Sequence, residues 1–101
     1  MPTVYVTAPR ASVDDIARTV VEERLAACVN AVECSSTYRW ESEIHEDAES
    51  ILLIKTTDDR YGELVERIEE LHPYDVPCIE RFEETEVLEE FKAWRDDAVA
   101  D

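Results

Sequence analysis

The segment Leu71–Glu80, with the sequence LHPYDVPCIE, places an imidazole, a thiol and three carboxyl or phenol oxygen donors close together. Imidazole and thiolate are ligands that suit zinc or copper. Pro73 and Pro77 favour an extended backbone, because each disfavours helix in the residue before it. Two hypotheses follow: a metal site on His72 and Cys78, or a rigid connector in which His72 caps a helix. Two ligands fall short of a coordination shell, which favours the connector.

A second set of candidate residues lies in strand-prone sequence. Tyr38 and Trp40 flank Arg39 in the segment YRWE, so both rings share one face of a strand. This face either packs against a neighbouring subunit or forms a stacking wall for a small ligand. Lys55 follows the apolar run Ile51–Ile54, which predicts either a paired lysine or one that faces an anion in a cleft between subunits.

The remaining reactive side chains do not form a catalytic set. Cys28, Cys34 and Cys78 contain no C-x-x-C pair, and an odd number of thiols is typical of reduced cysteines in the cytoplasm. Cys28 follows a helix pattern and is interpreted as a small buried residue. The two histidines, His45 and His72, have no nucleophile and acid arranged beside them in sequence. The sequence therefore predicts a binding protein rather than an enzyme.

The charge balance excludes two classes of partner. The 101 residues contain 26 acidic and 10 basic side chains, a net charge of −16. Such a chain lacks the cationic surface that nucleic acids require, and an anionic membrane would repel it. It also lacks an apolar run long enough for a membrane span and a charged leader. Because the acids spread along the whole chain, the sequence predicts a halophilic, cytoplasmic protein with a solvated acidic surface.

The elements that position these residues follow from periodicity and turn signals. The length predicts a single domain, residues 1–101. The order β-α-β-β-α-β with a further helix predicts an α+β, ferredoxin-like split βαβ sandwich with a long hairpin between its second and third strands. The predicted elements are strand Thr3–Ala8, a helix from Ser12 to about Ala27, strand Cys28–Trp40, an acidic turn Glu41–Asp47, strand Ser50–Thr57, a helix from Thr57 or Asp58 to His72, strand Ile79–Glu83, and a helix from Val87 to Ala98.

Four motifs resemble the CutA family in order and spacing, and the resemblance runs from about Val4 to Trp94. It implies a small ferredoxin-like homotrimer connected with tolerance of divalent cations. The motifs are EERLAACVN at residues 22–30, YRWE at residues 38–41, Lys55-Thr56, and His72-Pro73-Tyr74 with Val76-Pro77.

The resemblance also bears on the metal. In bacterial CutA proteins the suggested copper ligands are a cysteine in the first strand and a His-His pair before Pro-Tyr. The matching positions here are Val6, Leu71 and His72, so His72 is the one candidate metal ligand and Cu(II) or another divalent cation the candidate cofactor. Cys78 stands where the family carries a glutamate. Ser42 replaces the glycine usual after YRWE, so we expect a differently built hairpin turn.

Together these observations predict a homotrimer that acts in divalent-cation, including copper, tolerance or in the response to metal ions. It would bind a metal ion or small ligand in clefts between subunits. The residues expected around the cleft are Tyr38, Trp40, Lys55, His72 and Tyr74. The alternative is a trimeric signalling or scaffold protein of the ferredoxin-like regulator type without a metal role, in which the acidic tip at residues 41–49 contacts partners.

Overall fold

The computed structural model describes residues 1–100 and confirms the ferredoxin-like α+β fold. Its four strands form one antiparallel sheet in the order β2-β3-β1-β4. None of the helices in residues 1–100 is both long and apolar enough to cross a membrane. The elements are β1 (Pro2–Pro9), α1 (Val13–Glu22), β2 (Cys28–Trp40), β3 (Glu43–Lys55), α2 (Asp58–Leu71), β4 (Ile79–Glu83) and α3 (Glu89–Ala98).

The core lies on one face of the sheet, beneath α1 and α2. Alternate strand residues point to opposite faces. Every second residue of β1 from Val4 to Ala8 is therefore fully buried there, as are Leu52 and Ile54 of β3. The helices bury the apolar residues that recur at three- and four-residue intervals. The opposite face is open to solvent at positions such as Tyr5 and Thr7, which are only half-buried. The fully buried core residues are Val4, Val6, Ala8, Ile16, Val20, Leu52, Ile54, Leu64 and Ile68.

Helix α1 ends at Glu22, which corrects the prediction that it continues to about Ala27. Arg24 has a positive φ of 60°, the left-handed conformation that ends many helices. The backbone N–H groups of Leu25 and Ala26 then both donate to the carbonyl of Val20, at 2.9 and 3.1 Å. These apolar residues are buried in a turn, so their hydrophobicity resembled a further helical turn in the sequence.

The hairpin is longer, and its turn shorter, than predicted. Strand β3 begins at Glu43 rather than Ser50, and only Glu41 and Ser42 form the turn, both with positive φ (51° and 67°). The prediction of a turn at residues 41–47 is therefore wrong. Both faces of this part of the hairpin are largely exposed, so its polar side chains do not oppose strand pairing.

Strand β1 supports only half of this hairpin. The pairing of β1 with β3 stops at Pro9 and Glu49, whereas β2 and β3 pair from Cys28 and Lys55 out to Trp40 and Glu43. Residues 35–48 therefore extend as a two-stranded ribbon, here called the projecting arm. The longest dimension of the molecule is 45 Å.

The other predicted boundaries agree more closely with the structure. Helix α2 ends at Leu71, one residue before the predicted end at His72, and α3 begins at Glu89, two residues after the predicted start. Arg10–Ser12 form a 3₁₀ turn that was not predicted. Ser12 and Thr57 occupy the predicted N-cap positions, although neither side chain hydrogen-bonds to its helix.

A buried ion pair anchors the C-terminal helix α3. Arg95 is fully buried, and its Nη1 donates to both carboxylate oxygens of Glu84, at 2.9 and 3.0 Å. Glu84 also accepts a hydrogen bond from the hydroxyl of Thr3 on β1. Burial alone would raise the pKa of the Glu84 carboxyl, but these hydrogen bonds and the arginine charge together lower it below its ordinary value.

Candidate functional site

A cleft of about 540 Å³ lies between the projecting arm and the connector that follows α2. Three of its residues occupy alternate positions of β2 and therefore share one face of the arm. The connector forms the opposite wall, and β1 and β3 form the floor. The lining residues are Thr7, Ser36, Tyr38, Trp40, Glu49, Pro73, Tyr74, Asp75, Val76 and Cys78.

His72 fixes the start of the connector. Pro73 prevents α2 from continuing, and His72 is extended, with φ −77° and ψ 134°. Its Nε2 donates to the carbonyl of Thr7 at 2.8 Å, and its Nδ1 accepts from the backbone N–H of Tyr74 at 3.2 Å. The ring is buried behind Tyr74 and does not line the cleft. The His72 ring therefore does not cap the last carbonyls of α2, as the connector hypothesis predicted, because it bonds to the carbonyl of Thr7 on β1.

Tyr74 and Glu49 join the two sides of the cleft. The phenol of Tyr74 donates to Oε2 of Glu49 at 2.8 Å, and Glu49 is only 4% exposed. Burial, followed by this hydrogen bond to a carboxylate, raises the pKa of the Tyr74 phenol well above its ordinary value. Among residues 1–100, no Lys, Arg or His nitrogen lies within 4.0 Å of the Glu49 carboxylate. Arg10 reaches Glu49 through the backbone, since its Nε donates to the Glu49 carbonyl at 3.3 Å and not to the carboxylate.

The arm presents two aromatic rings to the cleft. Tyr38 stacks on His45 of the paired strand, with ring centroids 5.4 Å apart. Its hydroxyl donates to Asp47, and this hydrogen bond raises the pKa of the phenol. Trp40 lies at the end of the arm and is 51% exposed. It is therefore more exposed than the other aromatic side chains of the lining, Tyr38 and Tyr74.

Lys55 lies away from this cleft. It is six positions from Glu49 on β3, a separation of roughly 20 Å along an extended strand. Its Nζ donates to the hydroxyl of Thr3 at 3.1 Å, beside the ion pair that anchors α3. Of the five residues expected around the cleft, the structure thus brings together Tyr38, Trp40 and Tyr74, with His72 behind them and Lys55 elsewhere.

The sequence does not identify Glu49 as a cleft residue, because its acidic neighbours place it in the predicted tip at residues 41–49. The signal that could have found it is the register of the hairpin. A two-residue turn at residues 41–42 pairs Cys34 with Glu49 and Tyr38 with His45. This register places Glu49 on the same face as Ser36 and Tyr38.

Residues 1–100 of a single chain do not complete a metal coordination shell. Within residues 1–100, no three or more His, Cys, Asp or Glu side chains are grouped as a metal site. Both ring nitrogens of His72 are engaged, and the positions of Val6 and Leu71 supply no donor atom. Cys78 does line the cleft, where burial raises the pKa of its thiol and its Sγ donates to Glu80 at 3.6 Å.

Two divalent-cation tolerance proteins are similar to nearly the whole chain. The divalent-cation tolerance protein CutA of Pyrococcus horikoshii is 45% identical over 92 residues, which span 90% of each chain. The protein of the same name from Thermus thermophilus is 46% identical over 93 residues, again 90% of each.

Solved structures agree with this similarity. Crystalline CutA1 from Pyrococcus horikoshii superposes with a TM-score of 0.95 at 40% identity, over 100% of both chains. The periplasmic divalent cation tolerance protein CutA of Archaeoglobus fulgidus gives 0.94 at 32%, over 99% of this chain and 100% of that one. The PII-like protein CutA of Nostoc, in apo form, gives 0.95 at 31%, over 99% and 98%. The model of the family described as CutA1 divalent ion tolerance protein matches residues 2–98, and the chain belongs to that family.

Proposed function

We propose that this protein acts in tolerance of, or response to, divalent cations by reversible binding of a metal ion or small ligand in the cleft between the arm and the connector. The observation that carries the proposal is the cleft itself. It is large enough for a small ligand and combines aromatic walls with a buried carboxylate and a thiol. Binding there requires no covalent chemistry, and we assign the protein no catalytic residue.

The projecting arm supports the proposal that the protein assembles as a homotrimer. A two-stranded ribbon is marginally stable alone in water, and this arm exposes Trp40 and Ile44, at 51% and 59%. Edge strand β2 also leaves backbone donors and acceptors unpaired. A neighbouring copy that covers the arm would complete one side of the cleft. Sedimentation equilibrium tests this assembly, and a mass equal to that of one chain would contradict it.

The place of His72 in metal binding stays a prediction with a direct test. A metal at either nitrogen must replace a hydrogen bond, to Thr7 or from Tyr74. We expect isothermal titration with Cu(II) or Zn(II) to give saturable heat on the wild type and weaker binding on His72→Ala. Mg(II) controls for loose binding to the acidic surface. His72→Gln retains a donor and an acceptor, so it separates loss of a ligand from displacement of the connector. Equal binding by all three proteins would exclude His72 as a ligand.

The alternative function is a trimeric signalling or scaffold protein in the cytoplasm. The exposed apolar side chains at the end of the arm favour it, because such residues commonly contact other proteins. Affinity capture with wild type and with Ile44→Lys tests it. The proposal requires a stoichiometric partner that the wild type retains and the variant loses.

A further inference from the structure

We propose that the cleft selects an organic ammonium ion, with Glu49 as its counter-ion and the rings of Trp40, Tyr38 and Tyr74 as its walls. This inference rests on the proposed ligand-binding role of the cleft and names the class of its ligand. Three features of the cleft support it: a carboxylate without a cationic partner, the distribution of basic side chains, and the aromatic lining.

The first feature is the charge of Glu49. A carboxylate that is removed from water is strongly destabilised unless a cation or several hydrogen bonds compensate it. Glu49 is 4% exposed, yet within residues 1–100 its carboxylate receives only the hydroxyl of Tyr74, on Oε2. Its other oxygen, Oε1, has no hydrogen-bond or ion-pair partner in that part of the chain. Oε1 is not one of the enclosed side-chain atoms without a partner, so it is open to the cleft. A cation in the cleft would therefore pair directly with this charge.

The second feature is that no basic side chain of residues 1–100 lines the cleft, while Asp75 adds a second carboxylate. The guanidinium of Arg10 donates to the backbone carbonyls of Glu49 and Cys34 and pairs with Glu33. Lys55 lies roughly 20 Å along the strand. The potential in the cleft is therefore negative, which favours a cation and opposes an anionic ligand.

The third feature distinguishes an organic cation from a bare metal ion. Three of the ten lining residues are aromatic, and the electron-rich faces of such rings attract ammonium groups. A metal ion instead needs several convergent donors, and residues 1–100 hold no group of three or more. The cleft, at about 540 Å³, has the size of a small-molecule site rather than of an ion.

Choline and its uncharged isostere, 3,3-dimethylbutan-1-ol, test the role of ligand charge. Both are titrated into the full chain by calorimetry at constant ionic strength. We expect choline to bind saturably and at least about tenfold more tightly than the isostere. Equal affinity for the two compounds, or no binding of choline, would overturn the inference.

Two matched pairs of variants locate the site. Glu49→Gln should weaken choline binding about tenfold, whereas Glu69→Gln removes the same charge from the exposed surface of α2 and should change it less than about twofold. Trp40→Leu should also weaken it several-fold, with Trp94→Leu on α3 as its control. Equal effects of a cleft variant and its control would place choline outside the cleft, and the inference would fail.

The metal titrations keep the two proposals distinguishable. Saturable Cu(II) or Zn(II) binding without choline binding would overturn the ammonium ligand and leave the proposed function intact. If neither the metals nor choline bound, the ammonium ligand and the metal-binding part of the proposed function would both be overturned. Choline binding that depends on Glu49 and Trp40 supports both.

Discussion

The hydroxyl of Tyr74 is the only group in residues 1–100 that hydrogen-bonds to the Glu49 carboxylate. We expect Tyr74→Phe to lower the free energy of unfolding by about 1–2 kcal/mol, because it leaves a buried acceptor unsatisfied. Urea unfolding at fixed protein concentration measures this loss. Tyr61→Phe is the control, since the Tyr61 ring stacks with Arg81 and this contact survives the substitution. Similar losses from both variants would contradict the importance of the Glu49 contact.

Glu84 should make the free energy of unfolding depend on pH. Its pKa is lower in the folded protein than its ordinary value of 4.5, so its contribution is fully present above that value and is lost as pH falls through the folded value. We expect Glu84→Gln to lower the free energy of unfolding by about 2 kcal/mol at neutral pH, because Arg95 is then buried without its counter-ion.

The same measurement in acid checks the sign of this effect. The difference between wild type and Glu84→Gln should shrink once the wild-type carboxyl is protonated. Glu86→Gln, at an exposed position nearby, should have little effect at either pH. A loss that is as large in acid as at neutral pH would show that charge is not its cause.

At the residue scale, sequence reasoning found the side chains but not all of their neighbours. The place of Tyr38, Trp40 and Tyr74 around the cleft could be predicted, because aromatic residues beside strand and proline signals can be recognised in the sequence. The separation of Lys55 from them depends on its position along β3. The burial of Glu49 depends on how the connector packs over it, and no local sequence pattern predicts this packing.

Among the elements, the hairpin turn is the clearest case of strained backbone. Glu41 and Ser42 both adopt positive φ, which Asn and Gly accommodate more easily. We expect Glu41→Asn combined with Ser42→Gly to raise the free energy of unfolding by about 1 kcal/mol. Chemical denaturation at equal protein concentration measures the gain.

A glycine elsewhere in the arm provides the control for this prediction. Ser35 lies in β2 and has no positive φ, so Ser35→Gly should lower stability by increasing the freedom of the unfolded chain. If the turn variant were no more stable than the wild type, strain at residues 41–42 would not be limiting.

Element order and most boundaries could be predicted, and the two main errors have physical causes. Leu25 to Ala27 continue the apolar stripe of α1, but Arg24 turns the backbone before them. The acidic residues at 43–49 favour a turn by composition, yet they form a strand because they pair with β2. In both places tertiary contacts override the local propensity, and the periodicity of the sequence does not predict such contacts.

At the scale of the whole molecule, the net charge of −16 should make stability depend on salt. Mutual repulsion of the acidic side chains destabilises the compact state and is screened as ionic strength rises. We expect the thermal midpoint to be on the order of 5–10 °C higher in molar KCl than in dilute buffer. Differential scanning calorimetry in both solutions measures this shift, and sorbitol controls for the effect of solute alone. Equal midpoints in KCl and dilute buffer would contradict a halophilic adaptation.

A small tilt of the projecting arm at its base would change the width of the cleft. Trp40 is five residues from the base of the arm at Ser35, roughly 17 Å away in an extended strand. A tilt of about 10° at the base would therefore displace the indole by about 3 Å, comparable to the width of a methyl group. The facing wall, with Tyr74 and Cys78, belongs to the body of the protein and would not move with it. The width of the cleft therefore depends on the angle of the arm. Any contact that immobilises the arm also determines the size of molecule that can enter the cleft.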